Sequence, residues 1–169
     1  MKECLRAVYE SVHHVVTHAG DNVRMLTGEL LVRREKVSVV SHGNYCFYTR
    51  LSPALDRQEA RERLGLAKDA FVFLCFGTVR AYKGLDTVIE GFARIRKEKK
   101  GAVLLLAGRG SDDAYEQVDK TIAAAGVGEC VVTRFGYVPL EDMGLFFSAA
   151  DCVICGHTRS YGSGAVHAA

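Results

Sequence analysis

From residue 71 onward, apolar and polar positions follow two alternating periods. Residues 71–76 (FVFLCF) are apolar without a break, the pattern of a parallel strand covered on both faces. Residues 84–97 then place Leu85, Val88, Ile89, Phe92 and Ile95 at helical spacing. The same pair of patterns recurs. A run at 102–107 (AVLLLA) precedes a helix with Tyr115, Val118, Ile122 and Ala125 on its core face, capped by Asp112 or Asp113. A strand at 130–135 precedes a helix at 141–149 carrying Met143, Leu145, Phe146 and Ala149, and a last strand covers 152–155. Strand–helix alternation of these lengths predicts an α/β fold built as a doubly wound parallel sheet.

The opening segment uses the same patterns on a smaller scale. Residues 3–12 fit a helix with Leu5, Val8, Tyr9 and Val12 on one face, 14–18 a short strand, 21–31 a helix, and 36–40 (KVSVV) a second strand. Two strands are too few to bury both faces of a parallel sheet, so this segment reads as the end of something larger. Gly43-Asn44 and Pro53 mark residues 42–55 as a linker. Asp56 and Glu59 then have capping-box spacing, and Gly65 is placed to stop that helix in the left-handed conformation. The expected division is residues 1–41, a linker at 42–55, and a main domain from 56 to 169.

Candidate chemistry gathers at the carboxyl ends of the strands. All four carry glycine: Gly77, Gly108 with Gly110, Gly136, and Gly156 with Gly162 and Gly164. Two cations, Arg80 and Lys83, lie between the first of these strands and its helix. The positive end of a helix dipole disfavours cations by roughly 0.3–1 kcal/mol each. Cations placed there point to a bound anion, and phosphate is the usual anion at a strand–loop–helix junction; the alternative is a pair of solvated loop cations. A hydroxyl-rich loop at 158–163 lies at the last strand's end. There is no P-loop and no full GxGxxG, which disfavours an ATPase or a simple dehydrogenase.

Composition narrows the picture further. The chain has 169 residues, 25% charged and 49% apolar, with a formal net charge of +2, which gives no electrostatic case for nucleic acid. Of the six cysteines, Cys75, Cys130 and Cys152 lie in or beside strand patterns as small core residues. Cys152-Val-Ile-Cys155 has the letters of a redox or zinc motif, but residues three apart on a strand face opposite ways, so it reads as core. His13, His14 and His18 cluster without an acidic or cysteine partner at ligand spacing, and no metal site is expected. His42 falls in the linker, while His157 and His167 flank the last loop and read as exposed residues within reach of a phosphate. No signal peptide or membrane-length apolar run is visible, so the expected compartment is reducing and cytoplasmic.

With these residues in place, the chain resembles the group 1 glycosyltransferases, retaining enzymes of GT-B architecture with two Rossmann-like domains facing each other across a cleft. The landmarks run in order: Lys36-Val-Ser-Val-Val-Ser-His-Gly43, Arg63-Leu-Gly-Leu66, Phe76-Gly77 with Lys83-Gly84, Leu105-Leu-Ala-Gly108-Arg-Gly110, Phe135-Gly-Tyr-Val-Pro139 and Ala149-Ala-Asp151. The resemblance implies transfer of a sugar, with retention, from a nucleotide-diphosphate sugar to an acceptor that is a glycan, a lipid or a small molecule, with no cofactor or metal. Arg80 and Lys83 would hold the diphosphate and stabilise the leaving group. Gly77, Thr78 and Gly108 would approach the donor, the Tyr137-Val138 backbone would meet the base, and Ser160, Ser163 and Gly164 would lie near sugar and phosphates.

Two departures from the family pattern mark a subgroup: Thr78 stands where arginine commonly follows the glycine, and the paired glutamates of the last loop fall at Ser160 and Ala168. By the same resemblance, residues 1–41 are the tail of an acceptor-side domain and 56–169 an incomplete donor domain. The expectation is then a fragment: inactive alone, prone to self-association through exposed sheet edges, and peripheral at a membrane at most as part of a longer enzyme. The alternatives are a non-catalytic nucleotide- or nucleotide-sugar-binding remnant and, more distantly, a nucleotide-sugar epimerase of the same fold.

Overall fold

The structure is a computed structural model that describes residues 2–41, 43 and 55–157. Two units separate, one holding the described residues up to 43 and the other those from 55 to 157. In the first, helix α1 (Lys2–Ser11) precedes strand β1 (Val15–Thr17), helix α2 (Gly20–Gly28) and strand β2 (Val37–Val39). The strands pair in parallel, Val15 opposite Val37, over a small core of Val15, Leu26, Leu30, Val32 and Val37.

Two expectations for this unit change. Helix α2 ends at Gly28 because Glu29 and Leu30 both donate to the Met25 carbonyl, and Leu31 turns into the left-handed region at φ 56°. The apolar face of α1 is largely uncovered: Tyr9 packs on the core while Leu5 and Val8 are exposed. The Lys36 ammonium answers the end of α1, donating to the carbonyls of Tyr9 and Glu10 at 3.3 and 3.1 Å. Of the clustered histidines, His14 bonds the Ser38 hydroxyl at 2.8 Å and His18 the Val40 carbonyl at 2.9 Å.

In the second unit the order is α3 (Arg57–Leu64), β3 (Phe71–Phe76), α4 (Leu85–Glu98), β4 (Ala102–Gly108), α5 (Asp112–Ala125), β5 (Val131–Phe135), α6 (Met143–Ala149) and β6 (Cys152–Val153). All strand pairs are parallel, in the spatial order β5-β4-β3-β6. Residues alternate between the faces. Cys75, Leu104 and Leu106 meet Val88, Ile89 and Phe92 of α4 and Val118 and Ile122 of α5. Val72, Leu74, Leu105 and Ala107 meet Ala60 and Leu64 of α3 and Phe146 and Ala149 of α6. Helices on both faces explain the unbroken apolar runs, since each strand has no solvent side. The sheet is doubly wound, as the alternation predicts.

Several local expectations give way to the observed geometry. The cap of α5 is Ser111, whose hydroxyl accepts from the Ala114 amide, rather than either aspartate that follows it. Asp56 does cap α3, accepting from the Gln58 and Glu59 amides, but Glu59 takes a bond from Arg63 instead of completing the box. Gly65 closes the same helix at φ 71°. A 3-10 turn, Leu140–Asp142, occupies the start of the expected helix at 141. Strand β6 stops at Val153, and Cys155 beyond it is exposed rather than core, because only Phe73 and Leu74 of β3 pair with it. Burial pushes the Cys75 thiol up to about 12, so it stays an inert apolar residue.

One buried cation ties these layers together. The Arg61 side chain is 6% exposed and spends its guanidinium on three partners: the Ala149 carbonyl at 3.1 Å, the Lys68 carbonyl at 2.7 Å and the Asp151 carboxylate at 2.6 Å. Asp151 also accepts from the Val72 amide at 2.8 Å and from exposed Arg57 at 3.0 Å, while its own amide donates to the Val72 carbonyl. Replacing Asp151 by Ala strands a buried guanidinium, so urea unfolding should show a loss of about 3–5 kcal/mol. Arg57→Ala, which removes only the exposed arm, should cost less than about 1 kcal/mol. Equal losses from the two substitutions would remove Arg61–Asp151 from its central place.

Candidate functional site

The order of strands reverses between β3 and β6. The chain steps outward from β3 to β4 to β5 and then returns to the other side of β3. At such a reversal, neighbouring connections leave toward opposite faces, and a crevice opens outside the carboxyl ends of the strands. Here those ends are Phe76 and Val153, continued by Gly77 and by residues 154–157.

After β3 the backbone turns sharply at Gly77, φ 121°, and Val79 extends the sheet by donating to the Arg109 carbonyl at 2.8 Å. A 3-10 turn over Ala81–Lys83 and a left-handed Gly84 then start α4. This turn brings Lys83 back across the end of its own strand. The Lys83 ammonium lies 2.8 Å from Nε2 of His157 and 5.5 Å from the centre of the Tyr82 ring. An ammonium has only donors, so Nε2 must accept, which makes the imidazole neutral with its proton on Nδ1. His157 is correspondingly held below the usual histidine range, first by burial and then by the Lys83 charge. Gly156 makes the approach possible: a Cβ there would stand 2.4 Å from Val88 Cγ2 and 3.2 Å from the Lys83 and Gly84 carbonyl oxygens.

The recess around Lys83 is narrow, about 20 Å³, enough for roughly one water-sized group. Gly77, Thr78, Lys83 and His157 border it, and among the described residues no carboxylate does. Arg80 points elsewhere. It lines a neighbouring open hollow of about 770 Å³ together with Thr78, Arg109, Gly110 and Ser111, and borders a groove bearing Asp86 and Asp113 on its other side. The structure therefore places Arg80 and Lys83 on one loop but in adjacent recesses, with Thr78 bordering both. That hollow falls within the size range of small-molecule sites.

The loops behind these cations are knitted backbone to backbone. Gly108, φ 142°, packs so closely on Gly77 that a Cβ would lie 1.7 Å from the Gly77 carbonyl oxygen. The Gly136 amide in turn donates to the Gly108 carbonyl at 3.0 Å. The Gly110 amide donates to the Tyr115 hydroxyl at 2.6 Å, and the Tyr115 ring stacks on Phe135 at 4.4 Å. Tyr115 thus pins the Gly108–Ser111 loop as well as filling the core. Beyond β5, Val138 is half-buried on the α6 side of the sheet while Tyr137 is 72% exposed. Ser160, Ser163, Gly164, His42 and His167 lie outside the described residues.

In the sequence Arg109 enters only within the Gly108-Arg-Gly110 landmark and Tyr115 only as a core residue of its helix, so neither is assigned to the site. His157 reads there as an exposed residue within reach of a phosphate, and the structure adds its bond to Lys83.

A doubly wound parallel sheet with cations and glycines at its switch point defines a Rossmann-like domain. Residues 56–166 match the sequence model described as "Glycosyl transferases group 1". The chain belongs to the group 1 glycosyltransferase family. It is 32% identical over 170 residues to a D-inositol 3-phosphate glycosyltransferase of Actinosynnema mirum, covering 95% of this chain and 40% of that protein. It is 29% identical to the protein of the same name from Geodermatophilus obscurus, covering 95% of this chain and 37% of that one. The chain thus spans about two fifths of the length of the curated relatives it matches.

Among solved structures it is similar to the sucrose-phosphate synthase of Thermosynechococcus elongatus, with TM-score 0.78 and 18% identity over 96% of this chain and 39% of that one. It is also similar to Anabaena Alr3699/HepE in complex with UDP and glucose, with TM-score 0.75 and 18% identity over 90% of this chain and 41% of that chain. These likenesses show the fold.

The Gly77–Gly108 contact can be checked by substitution. Gly108→Ala combines a left-handed backbone with a direct clash and should cost upwards of about 2 kcal/mol in urea unfolding. Gly136→Ala, at φ 132° but with open space around it, should cost visibly less. Equal costs would mean that the close approach is not a constraint.

Proposed function

We propose that this chain carries the donor-binding site of a glycosyltransferase that takes a sugar from a nucleotide-diphosphate sugar and transfers it with retention. The observation that carries the reading is the Lys83 ammonium at the topological switch point, bonded to a neutral histidine and bordered by no carboxylate among the described residues. Family membership supplies the class of reaction. Departure of the sugar leaves a nucleoside diphosphate, and fixed positive charge stabilises that developing anion. One preorganised donor of this kind contributes on the order of 10²–10³ in rate.

In this reading the diphosphate lies across the mouth of the Lys83 recess, too small to enclose it. Arg80 reaches it from the adjacent hollow, where Arg109 and the Ser111 hydroxyl add further donors. These fixed cations supply the charge that a divalent metal would otherwise provide, so no metal is required. The Tyr137 and Val138 backbone meets the base. The name shared by the curated relatives makes an inositol phosphate the first acceptor to try.

Calorimetry on the 169-residue chain with UDP-, GDP- and ADP-glucose tests the site directly. At least one should bind, and Lys83→Met should weaken it roughly 10- to 100-fold, the worth of one charged hydrogen bond. Absence of binding by all three, or identical binding by Lys83→Met, would overturn the reading.

A further inference from the structure

The donor reading uses Lys83 but leaves His157 without a task. Its position is strongly specified all the same. Gly156 seats the loop against the turn that carries Lys83, the ring lies 6.1 Å from the Tyr82 ring, and Nε2 accepts from the ammonium at 2.8 Å. Other residues bordering the recess include the apolar Val79, Leu85, Leu106 and Ile154 and the cysteines Cys75 and Cys155. Tyr82 and Lys83 face the imidazole from the turn before α4, Cys75 of β3 and Cys155 of its own loop line the same recess, and among the described residues no carboxylate does. Among the described residues, nothing there favours a charged imidazole while Lys83 is its near neighbour.

A diphosphate reverses that balance. Its oxygens outcompete a neutral imidazole nitrogen for the ammonium, because they add the attraction of a full negative charge to the hydrogen bond. The freed Nε2 then turns an unprotonated lone pair toward the same anion, and the nearby negative charge favours its protonation. We propose that His157 is the second half of a diphosphate clamp: neutral and bonded to Lys83 when the site is empty, it takes one proton from solvent as the nucleotide-diphosphate sugar binds and becomes a second cationic donor to the phosphates. Binding is thereby linked to proton uptake. The free protein's imidazole titrates below the usual range, the complex's above it, so affinity rises as pH falls between the two and levels off below the lower one. The inference rests on the donor reading above.

The probe is UDP-glucose, or GDP- or ADP-glucose if one of those is the sugar nucleotide bound, because a diphosphate diester does not itself titrate near neutrality. Calorimetry in buffers of different ionisation enthalpy should record uptake approaching one proton per site near pH 7, and affinity should rise about 10- to 30-fold from roughly pH 8 to 6. His157→Gln should still bind, more weakly, with no linked proton and less than about a twofold change over the same range. Independently of any nucleotide, imidazole NMR of the free chain should show His157 titrating below about 6.5, and Lys83→Met should move it upward. Proton-independent binding by wild type, the same uptake in His157→Gln, or an imidazole unmoved by Lys83→Met would each overturn the clamp while leaving the donor reading intact. Absence of binding by every sugar nucleotide would overturn both.

Discussion

The Arg61–Asp151 pair is the constraint on which the rest of the main domain depends. Asp151 sits at the last bend before β6, and its amide and carboxylate both bond the backbone of Val72 at the start of β3. That fixes which strand β6 joins and in what register, so Cys152 stands opposite Phe73 and Val153 opposite Leu74. A strand of two residues has too few ladder bonds to choose its own partner. Burying the guanidinium costs several kcal/mol of desolvation, and the three partners it meets on α6, on the loop after α3 and on Asp151 offset it. The outcome is a specified arrangement more than a large net gain in stability.

Register at the start of β6 decides chemistry at its end. With Val153 held opposite Leu74, the next residues run outward beside Gly77, and Gly156 and His157 arrive against the Lys83–Gly84 turn. The site is thus assembled from two connections that are 74 residues apart in the chain, held to each other by a carboxylate at the far edge of the sheet. On the other side, the glycine pair 77 and 108 lets β3 and β4 come off the sheet together. Side chains there would push the two loops apart and take Lys83 and Arg109 with them.

The electrostatic character of this edge follows from what is missing among the described residues as much as from what is present. Two surface ion pairs of the domain lie within its helices, Glu59–Arg63 and Glu116–Lys120, and are worth little. Lys83, by contrast, has a neutral imidazole as its near partner, and the hollow beside it holds two arginines and a serine hydroxyl. Among the described residues, Lys83 and Arg109 border no carboxylate in these recesses, and on the proposed reading a diphosphate would meet them at little cost in broken pairs.

The sequence by itself determined the elements and the layers. Unbroken apolar runs at 71–76 and 102–107 can only be strands with both faces covered, and the stripe of Val88, Ile89 and Phe92 can only be a helix that covers one of them. It also marked Gly77, Gly108 and Lys83, because a glycine at a strand end and a cation before a helix are local features with local causes. Tertiary structure alone decided the strand order, since pairing partners are set by long-range contacts such as Asp151 to Val72 that leave no periodicity. That order put the reversal between β3 and β6. It turned His157 from an exposed loop residue into the partner of Lys83, and it set Arg80 in a different recess from the lysine three residues away. Capping shows the same division on a small scale: Ser111, Asp112 and Asp113 are all competent by type, and only the path of the loop after Gly110 selects the serine.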